Sequence, residues 1–179
     1  MQSDVSTWLL LVFTPPGGAA GKRAALVRAL KNLGAVWLRD GVAALPERPD
    51  CERALAALVA TCVSPATIVR SARLEPDRAR ELVEEARAQR AAEYASATRQ
   101  VEQLTWYVSG VSAQRPLRPA ERRGAVTSLR QLTRQVAAIR GRDHFGADGA
   151  PQAESALASC AAALAGQQAG WGGSAAASP

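Results

Sequence analysis

A six-residue apolar run near the start of the chain, Trp8–Phe13, most constrains what this sequence can fold into. The run is continuous, contains aromatic and β-branched residues, and is followed by prolines and glycines at 15–18, which is typical of a fully buried strand. Further on, two short apolar segments flank Asp40-Gly41, a dipeptide that favours the tight turn of a β-hairpin. The sequence therefore predicts a sheet that contains one buried strand and one hairpin.

Helical spacing between these strands completes an alternating pattern. The stretch 21–33 places Leu26, Val27, Leu30 and Leu33 on one stripe, and Gly34 follows it as a stop residue. A second helix opens near Pro49-Asp50, with Asp50 as its expected N-cap. The predicted strands are about 7–14, 35–39, 42–46 and 66–73. The resulting β-α-β-β-α-β order predicts a ferredoxin-like domain over residues 7–74.

The remainder of the chain is alanine-rich and has the apolar spacing of helices. Three helices are predicted, at about 77–111, 119–140 and 151–166. The sequence thus predicts an α+β protein, in which a ferredoxin-like half is followed by an antiparallel bundle of about three helices. This helical domain, 77–166, is expected to pack on the first, and the Gly/Ala/Ser-rich residues 167–179 are expected to form a disordered tail.

Cysteine and histidine content restricts the chemistry that the chain can perform. Three cysteines, Cys51, Cys62 and Cys160, and no secretory leader argue against a disulfide framework and predict a reducing, cytoplasmic location. With His144 as the single histidine, we expect neither a metal site nor a cofactor. A general-base role for His144 would need an oriented partner and a nucleophile, which the surrounding sequence lacks. We therefore expect a non-enzymatic protein with a structural His144 and buried, unreactive Cys51 and Cys62.

A glycine-rich segment, 17–23, superficially resembles a phosphate-binding loop. The spacing of its glycines differs from the working pattern, and Arg23 stands where a hydroxyl residue should bind magnesium. The segment is better interpreted as a flexible turn.

Arginine is concentrated in one part of the chain. The formal net charge is +6 and the isoelectric point is about 10.0. All basic residues in the segment 115–142 are arginines, and its one acidic residue is Glu121. Guanidinium groups suit phosphate oxygens, so this composition favours a nucleic-acid partner. On the predicted helix, Arg123, Arg130 and Arg134 share one face with Thr127. We expect these three as DNA-phosphate contacts. The weaker candidates are Arg122, Arg140 and Arg142, and the secondary ones are Lys22, Arg23 and Arg28.

Several segments resemble the N-terminal domain of the bacterial chromate-resistance protein ChrB. The resemblance rests on residues 8–12, 28–36, 39–42 and 45–46, and on 139–147 with 156–164 near the end. It covers about residues 7–166 and implies a chromate-responsive transcriptional regulator that binds promoter DNA. The family offers no catalytic residues to carry over. Full ChrB proteins have a second, C-terminal domain, and here a Gly/Ala tail follows instead, which leaves open whether a separate C-terminal-type protein acts as a partner.

Two other functions remain open from the residues themselves. The edges of a ferredoxin-like sheet can pair with another copy, which favours a homodimer or a protein-interaction module. An arginine cluster can also hold an oxyanion such as chromate or sulfate. We expect no membrane partner, because the apolar run Trp8–Phe13 is too short to span a bilayer.

Overall fold

A computed structural model describes residues 7–14, 20–61 and 65–169, with the backbone alone for 20–23 and 167–169. These residues form a mixed α+β structure with a four-stranded antiparallel sheet and five helices. The strands are β1 (Trp8–Phe13), β2 (Val36–Arg39), β3 (Val42–Pro46) and β4 (Ala66–Ala72). The helices are α1 (Ala20–Asn32), α2 (Pro49–Thr61), α3 (Pro76–Ser112), α4 (Pro119–Gly141) and α5 (Ala150–Ala169). Within this described part of the chain, no helix combines the length and apolarity needed to traverse a bilayer.

The apolar run Trp8–Phe13 lies inside the sheet. The strand order is β2-β3-β1-β4, and every neighbouring pair is antiparallel. Side chains alternate across a strand, so Leu9 and Leu11 face one layer while Trp8 faces the other. Both layers are covered, which is why the run is continuously apolar instead of alternating. The predicted hairpin at Asp40-Gly41 is confirmed, with Gly41 at a φ of 77°.

Proline is the first residue of three helices, and in α2 this shows that the N-cap predicted at Asp50 is wrong. Pro49, Pro76 and Pro119 are the first residues of α2, α3 and α4. Proline suits this position because its fixed φ is helical and its missing N–H would have no helical acceptor there. Asp50 is therefore the second residue of α2 and not its N-cap. The carbonyl of Arg48 accepts the N–H of Glu52 and so starts the helix.

Two compact units divide the chain. The first contains residues 1–88 and 142–146, and the second contains 89–141 and 147–179. In the first unit, α1 and α2 cover one layer of the sheet, around Leu30 and Leu55. The beginning of α3 belongs to this unit because Leu82 and Ala86 pack with Trp8 on the other layer.

Apolar side chains at helical spacing, which form a buried seam on each helix, hold the second unit together. Small residues allow close approach, and Ala97 and Ala153 are fully buried beside Val136. The seam of α4 is buried at Leu132, Val136 and Ile139. The helix α5 extends to Ala169, and the rest of the predicted tail, 170–179, lies outside the described residues.

Gly34 ends α1 at a place where no side chain fits. Its φ is 80°, and the N–H groups of Gly34 and Ala35 donate to the carbonyls of Lys31 and Leu30 at 3.0 Å each. This hydrogen-bond pair is a Schellman motif, which confirms Gly34 as the C′ residue. A Cβ at this position would overlap the carbonyl oxygen of Arg142 and would lie 3.0 Å from His144 Nε2. The segment 142–146 therefore packs directly on the end of α1.

We expect Gly34→Ala to lower the free energy of unfolding by about 2–4 kcal/mol, because it combines left-handed backbone strain with a backbone overlap. Gly146→Ala is the matched control. Gly146 also has a positive φ, 67°, but no atom lies within 4 Å of its would-be Cβ, so we expect a loss of about 1 kcal/mol. Urea titration followed by circular dichroism measures both. Equal losses would show that the close packing of 142–146 on Gly34 contributes nothing.

Candidate functional site

A row of three arginines on α4, in the second unit, is exposed to solvent. Arg123, Arg130 and Arg134 are exposed, and so is Thr127, which shares their face. No carboxylate in the described ranges forms an ion pair with any of the three. The opposite side of α4 is occupied by the buried seam, so amphipathic spacing directs these guanidinium groups to solvent. This row is the arginine face that the sequence predicts, and we refer to it as the α4 arginine row.

The weaker candidates differ from the row in burial or pairing. Arg140 forms an ion pair with Glu154 of α5, so part of its charge is already neutralised. Arg122 is half-buried at the flank of the α4 seam. Arg142 is half-buried as well and belongs to the first unit, so the structure does not group it with the α4 arginine row.

The secondary candidates are placed in the first unit. Arg28 is exposed on α1. The side chains of Lys22 and Arg23 lie outside the described residues, as does most of the glycine-rich segment before them. Of these three side chains, the structure describes only that of Arg28. Arg28 belongs to the first unit, whereas the α4 arginine row belongs to the second.

The second unit contains an exposed tryptophan that was not identified from the sequence as a candidate functional residue. Trp106 on α3 is 79% exposed, and its neighbour Tyr107 is 41% exposed. Large exposed aromatics can serve as stacking platforms for bases. A signal was present in the sequence, because helical spacing puts Trp106 nearly opposite the buried Val101 and Val108.

A short ion-pair network caps the beginning of α4. Arg115 donates two hydrogen bonds to the Glu121 carboxylate, at 2.8 and 2.7 Å, and Glu121 also accepts the backbone N–H of Arg118 at 2.8 Å. Because Arg118 is the residue before the first helical turn, this last contact is the Glu half of a capping box. The hydrogen bonds from Arg115 and Arg118 lower the pKa of Glu121 to about 2. Arg115 is thereby engaged and is not part of the α4 arginine row.

His144 has a hydrogen-bond partner that no local sequence pattern indicates. Its Nε2 lies 2.7 Å from the carbonyl oxygen of Leu33, next to Gly34. Both of its ring nitrogens are 3.9 Å from Cys51 Sγ, although the two residues are 93 positions apart. The fold thus brings to His144 an acceptor and a thiol that its surrounding sequence does not show. The separation in sequence is the reason, since no local pattern connects α2 with a loop after α4.

Asp50 joins this pair. One donor atom from each of Asp50, Cys51 and His144 lies within 4.8 Å of the others, and this is the sole potential metal-binding group among the residues that the structure describes. Cys51 is buried, as predicted, whereas Cys62 lies outside the described residues. Burial, with a smaller contribution from Asp50, raises the pKa of the Cys51 thiol to about 11. The free thiol is consequently protonated and a poor nucleophile at neutral pH.

Comparison with known proteins gives one family. The model described as "Protein ChrB, N-terminal" matches residues 23–169, which is most of the chain and spans both units. No curated protein and no solved structure matches significantly.

The capping network generates a pH prediction. We expect the Glu121 carboxyl to titrate near pH 2 in the folded protein, well below the ordinary value of 4.5. Since the folded pKa is depressed, its contribution to stability is complete above about pH 4.5 and is lost as the pH falls toward 2. Carbon-detected NMR titration of the side chain measures the midpoint.

Arg115→Ala tests the cause of that shift. The substitution removes the two strongest hydrogen bonds but leaves the Arg118 N–H, so the midpoint of Glu121 should rise toward 4.5 without reaching it. Arg80→Ala removes an exposed arginine that pairs with Asp77 and should leave the midpoint unchanged. A Glu121 midpoint of 4.5 in the unsubstituted protein would contradict the network.

Proposed function

Since the chain belongs to the family of the N-terminal region of protein ChrB, we propose that it is a DNA-binding transcriptional regulator associated with chromate resistance. Family membership supports the association with chromate resistance. The α4 arginine row supports the choice of DNA as the partner. The role is non-catalytic, and binding to promoter DNA would place the protein in the cytoplasm.

The observation that carries this proposal is that Arg123, Arg130 and Arg134 form no ion pair with a carboxylate among the described residues. Within the row, Arg134 Nε donates a hydrogen bond to the Arg130 carbonyl, at 3.4 Å, which leaves the terminal guanidinium nitrogens to a partner. At about 1.5 Å per residue, the row extends over about 16 Å of helix. Each DNA strand carries one phosphate per about 3.4 Å of duplex axis, so a row of this length can meet several successive phosphates. Arginine forks make two parallel hydrogen bonds to phosphate oxygens, which sets their orientation as well as adding affinity.

The fold of the first unit is consistent with a scaffold for such a regulator. Its β-α-β-β-α-β order and the sheet order β2-β3-β1-β4 support a ferredoxin-like arrangement, which we propose for this unit. Phosphate contacts set position and not sequence preference, so the bases that are read come from other contacts.

A second candidate function, self-association, is favoured by the edge of the sheet. The strand β4 lies at one end of the strand order, and Thr67, Val69 and Arg70 on it are exposed. Val69 is 40% exposed, and Val12 of the neighbouring β1 is 41% exposed. An edge strand with exposed apolar residues can pair with the same strand of a second copy, which would form a homodimer.

We expect the affinity for upstream promoter DNA to depend on the α4 arginine row in a salt-dependent way. Each phosphate contact contributes about −0.9 to the slope of log K against log salt concentration, so replacing all three arginines by alanine should make the slope shallower by about 2.7. Gel-shift or anisotropy titrations at several salt concentrations provide the slope.

A triple variant of equal charge is the control. Arg70, Arg78 and Arg80 are each paired with a carboxylate in the first unit. Their replacement by alanine removes the same formal charge and should change the slope by less than about 1. Equal effects of the two triple variants would mean that net charge alone, and not the α4 arginine row, attracts the DNA.

Self-association is tested separately. If β4 pairs with a second copy, Val69→Lys should convert a dimer into a monomer, because a charged side chain on an edge strand opposes pairing. Thr105→Lys on α3 is a control with the same added charge in the other unit. Light scattering coupled to size-exclusion chromatography measures the mass, and a monomeric starting protein would refute this candidate.

A further inference from the structure

We propose that Asp50, Cys51 and His144 form a binding site for one divalent metal ion of borderline softness, for which Zn²⁺ is the best match. The site lies entirely within the first unit, where α2 supplies Asp50 and Cys51 and the loop after α4 supplies His144. The proposal is independent of DNA binding by the α4 arginine row. It rests on the donor set, on the orientation of His144 and on the distances between the donors.

The donor set determines the class of ion. Thiolate, imidazole and carboxylate are the three kinds of side chain that bind Zn²⁺ in proteins, whereas Mg²⁺ and Ca²⁺ require oxygen ligands. In a tetrahedral zinc site the metal–sulfur and metal–nitrogen bonds are about 2.3 and 2.0 Å, which puts sulfur and nitrogen about 3.5 Å apart. The observed separation of 3.9 Å between Cys51 Sγ and His144 Nδ1 exceeds that value by a few tenths of an ångström. Because Nε2 also lies 3.9 Å from Sγ, the Cys51 side chain must turn toward the Nδ1 lone pair when an ion binds.

The hydrogen bond to Leu33 leaves the other ring nitrogen of His144 available. A carbonyl oxygen can accept but not donate, so at 2.7 Å the Nε2 of His144 must carry the proton. In the neutral ring, Nδ1 then holds a lone pair. A hydrogen bond from the second ring nitrogen to a carbonyl is the usual support of a metal-binding histidine, because it sets the tautomer and the ring orientation.

Gly34 keeps this support in place. The absence of a Cβ there lets the backbone of 142–144 approach the end of α1 closely enough for His144 to reach Leu33. On the other side of the site, Pro49 begins α2, so Asp50 and Cys51 are held in its first helical turn. Both halves of the donor set are therefore fixed by backbone structure, which lowers the entropic cost of binding an ion.

The burial of the three residues suits a site with one open side. Cys51 is 4% exposed and His144 is half-buried, while Asp50 is exposed. Asp50 presently accepts two hydrogen bonds from Arg48, at 3.1 Å each. Both members of that ion pair are about half exposed, and such pairs contribute little, so the carboxylate can turn to an ion. Water would complete the coordination from the exposed side, and it would take up the Cys51 thiol proton that the ion displaces, since a metal-bound thiol is deprotonated.

Metal titration of the full chain tests the proposal. Co²⁺ reports on the ligands because a cobalt–thiolate bond produces charge-transfer absorption in the near ultraviolet, and isothermal titration with Zn²⁺ gives the stoichiometry. We expect one ion per chain and cobalt–thiolate absorption in the unsubstituted protein. Cys51→Ser should abolish the absorption, and Cys62→Ser and Cys160→Ser should retain it.

Two further variants examine the other donors. His144→Gln keeps a donor for the Leu33 carbonyl but removes Nδ1, and Asp50→Asn removes the charge of an exposed group and should not disturb folding. Each should weaken Zn²⁺ binding by at least about tenfold. Loss of a residue that only hydrogen-bonds to a metal ligand already lowers metal affinity by about 10–100-fold, and here a ligand itself is lost. Circular dichroism of each variant verifies that it is folded.

The outcomes separate the proposal from its alternatives. Unchanged Zn²⁺ affinity in Asp50→Asn or in His144→Gln would overturn the proposal, because it requires all three donors. Cobalt–thiolate absorption that persists in Cys51→Ser but disappears in Cys62→Ser or Cys160→Ser would place the ion elsewhere and overturn the proposal. Absence of stoichiometric binding by the unsubstituted chain would overturn it as well and would leave Cys51 and His144 as packing residues.

Discussion

The close approach between the end of α1 and the segment 142–146 is the constraint on which the first unit depends. Gly34 has a positive φ and no side chain, so the carbonyl of Arg142 can lie against its backbone. The approach brings His144 to the Leu33 carbonyl and Phe145 to the buried face of Trp8, with ring centroids 5.8 Å apart. Arg87 of α3 adds a hydrogen bond at 3.0 Å to the carbonyl of Phe145. Phe145, from far along the chain, thereby joins the core of the sheet's second layer.

The distribution of carboxylates decides which arginines can act on a partner. Arg115 and Arg140 are matched to Glu121 and Glu154, and the early part of α3 pairs its arginines with its own acidic residues. The α4 arginine row has no such neighbours among the described residues. Exposed ion pairs add little stability. Their consequence here is that the paired arginines no longer present an uncompensated positive charge, so the α4 arginine row remains as the basic surface of the helix.

Local patterns predicted the secondary structure well because its causes are local. The continuous apolar run of β1, the Asp40-Gly41 turn and the seam of α4 each follow from spacing within a few residues. The predicted N-cap at Asp50 was wrong by a small margin, because Pro49 is better suited to the first helical position. Trp106 was overlooked although its place opposite Val101 and Val108 on α3 was visible in the sequence. The pairing of His144 with Cys51 had no local signal, since 93 residues separate them.

The sequence by itself determined the α+β class, the order of strands and helices, the family resemblance and the arginine face of α4, because periodicity, turn residues and charge act between near neighbours. The tertiary structure alone decided which charges remain unpaired and which donors meet. It paired Arg140 with Glu154, left Arg123 and Arg130 in solvent, and assembled Asp50, Cys51 and His144 at one place. These outcomes depend on packing between distant segments, and the meeting of His144 with Cys51 in particular depends on the close backbone approach at Gly34.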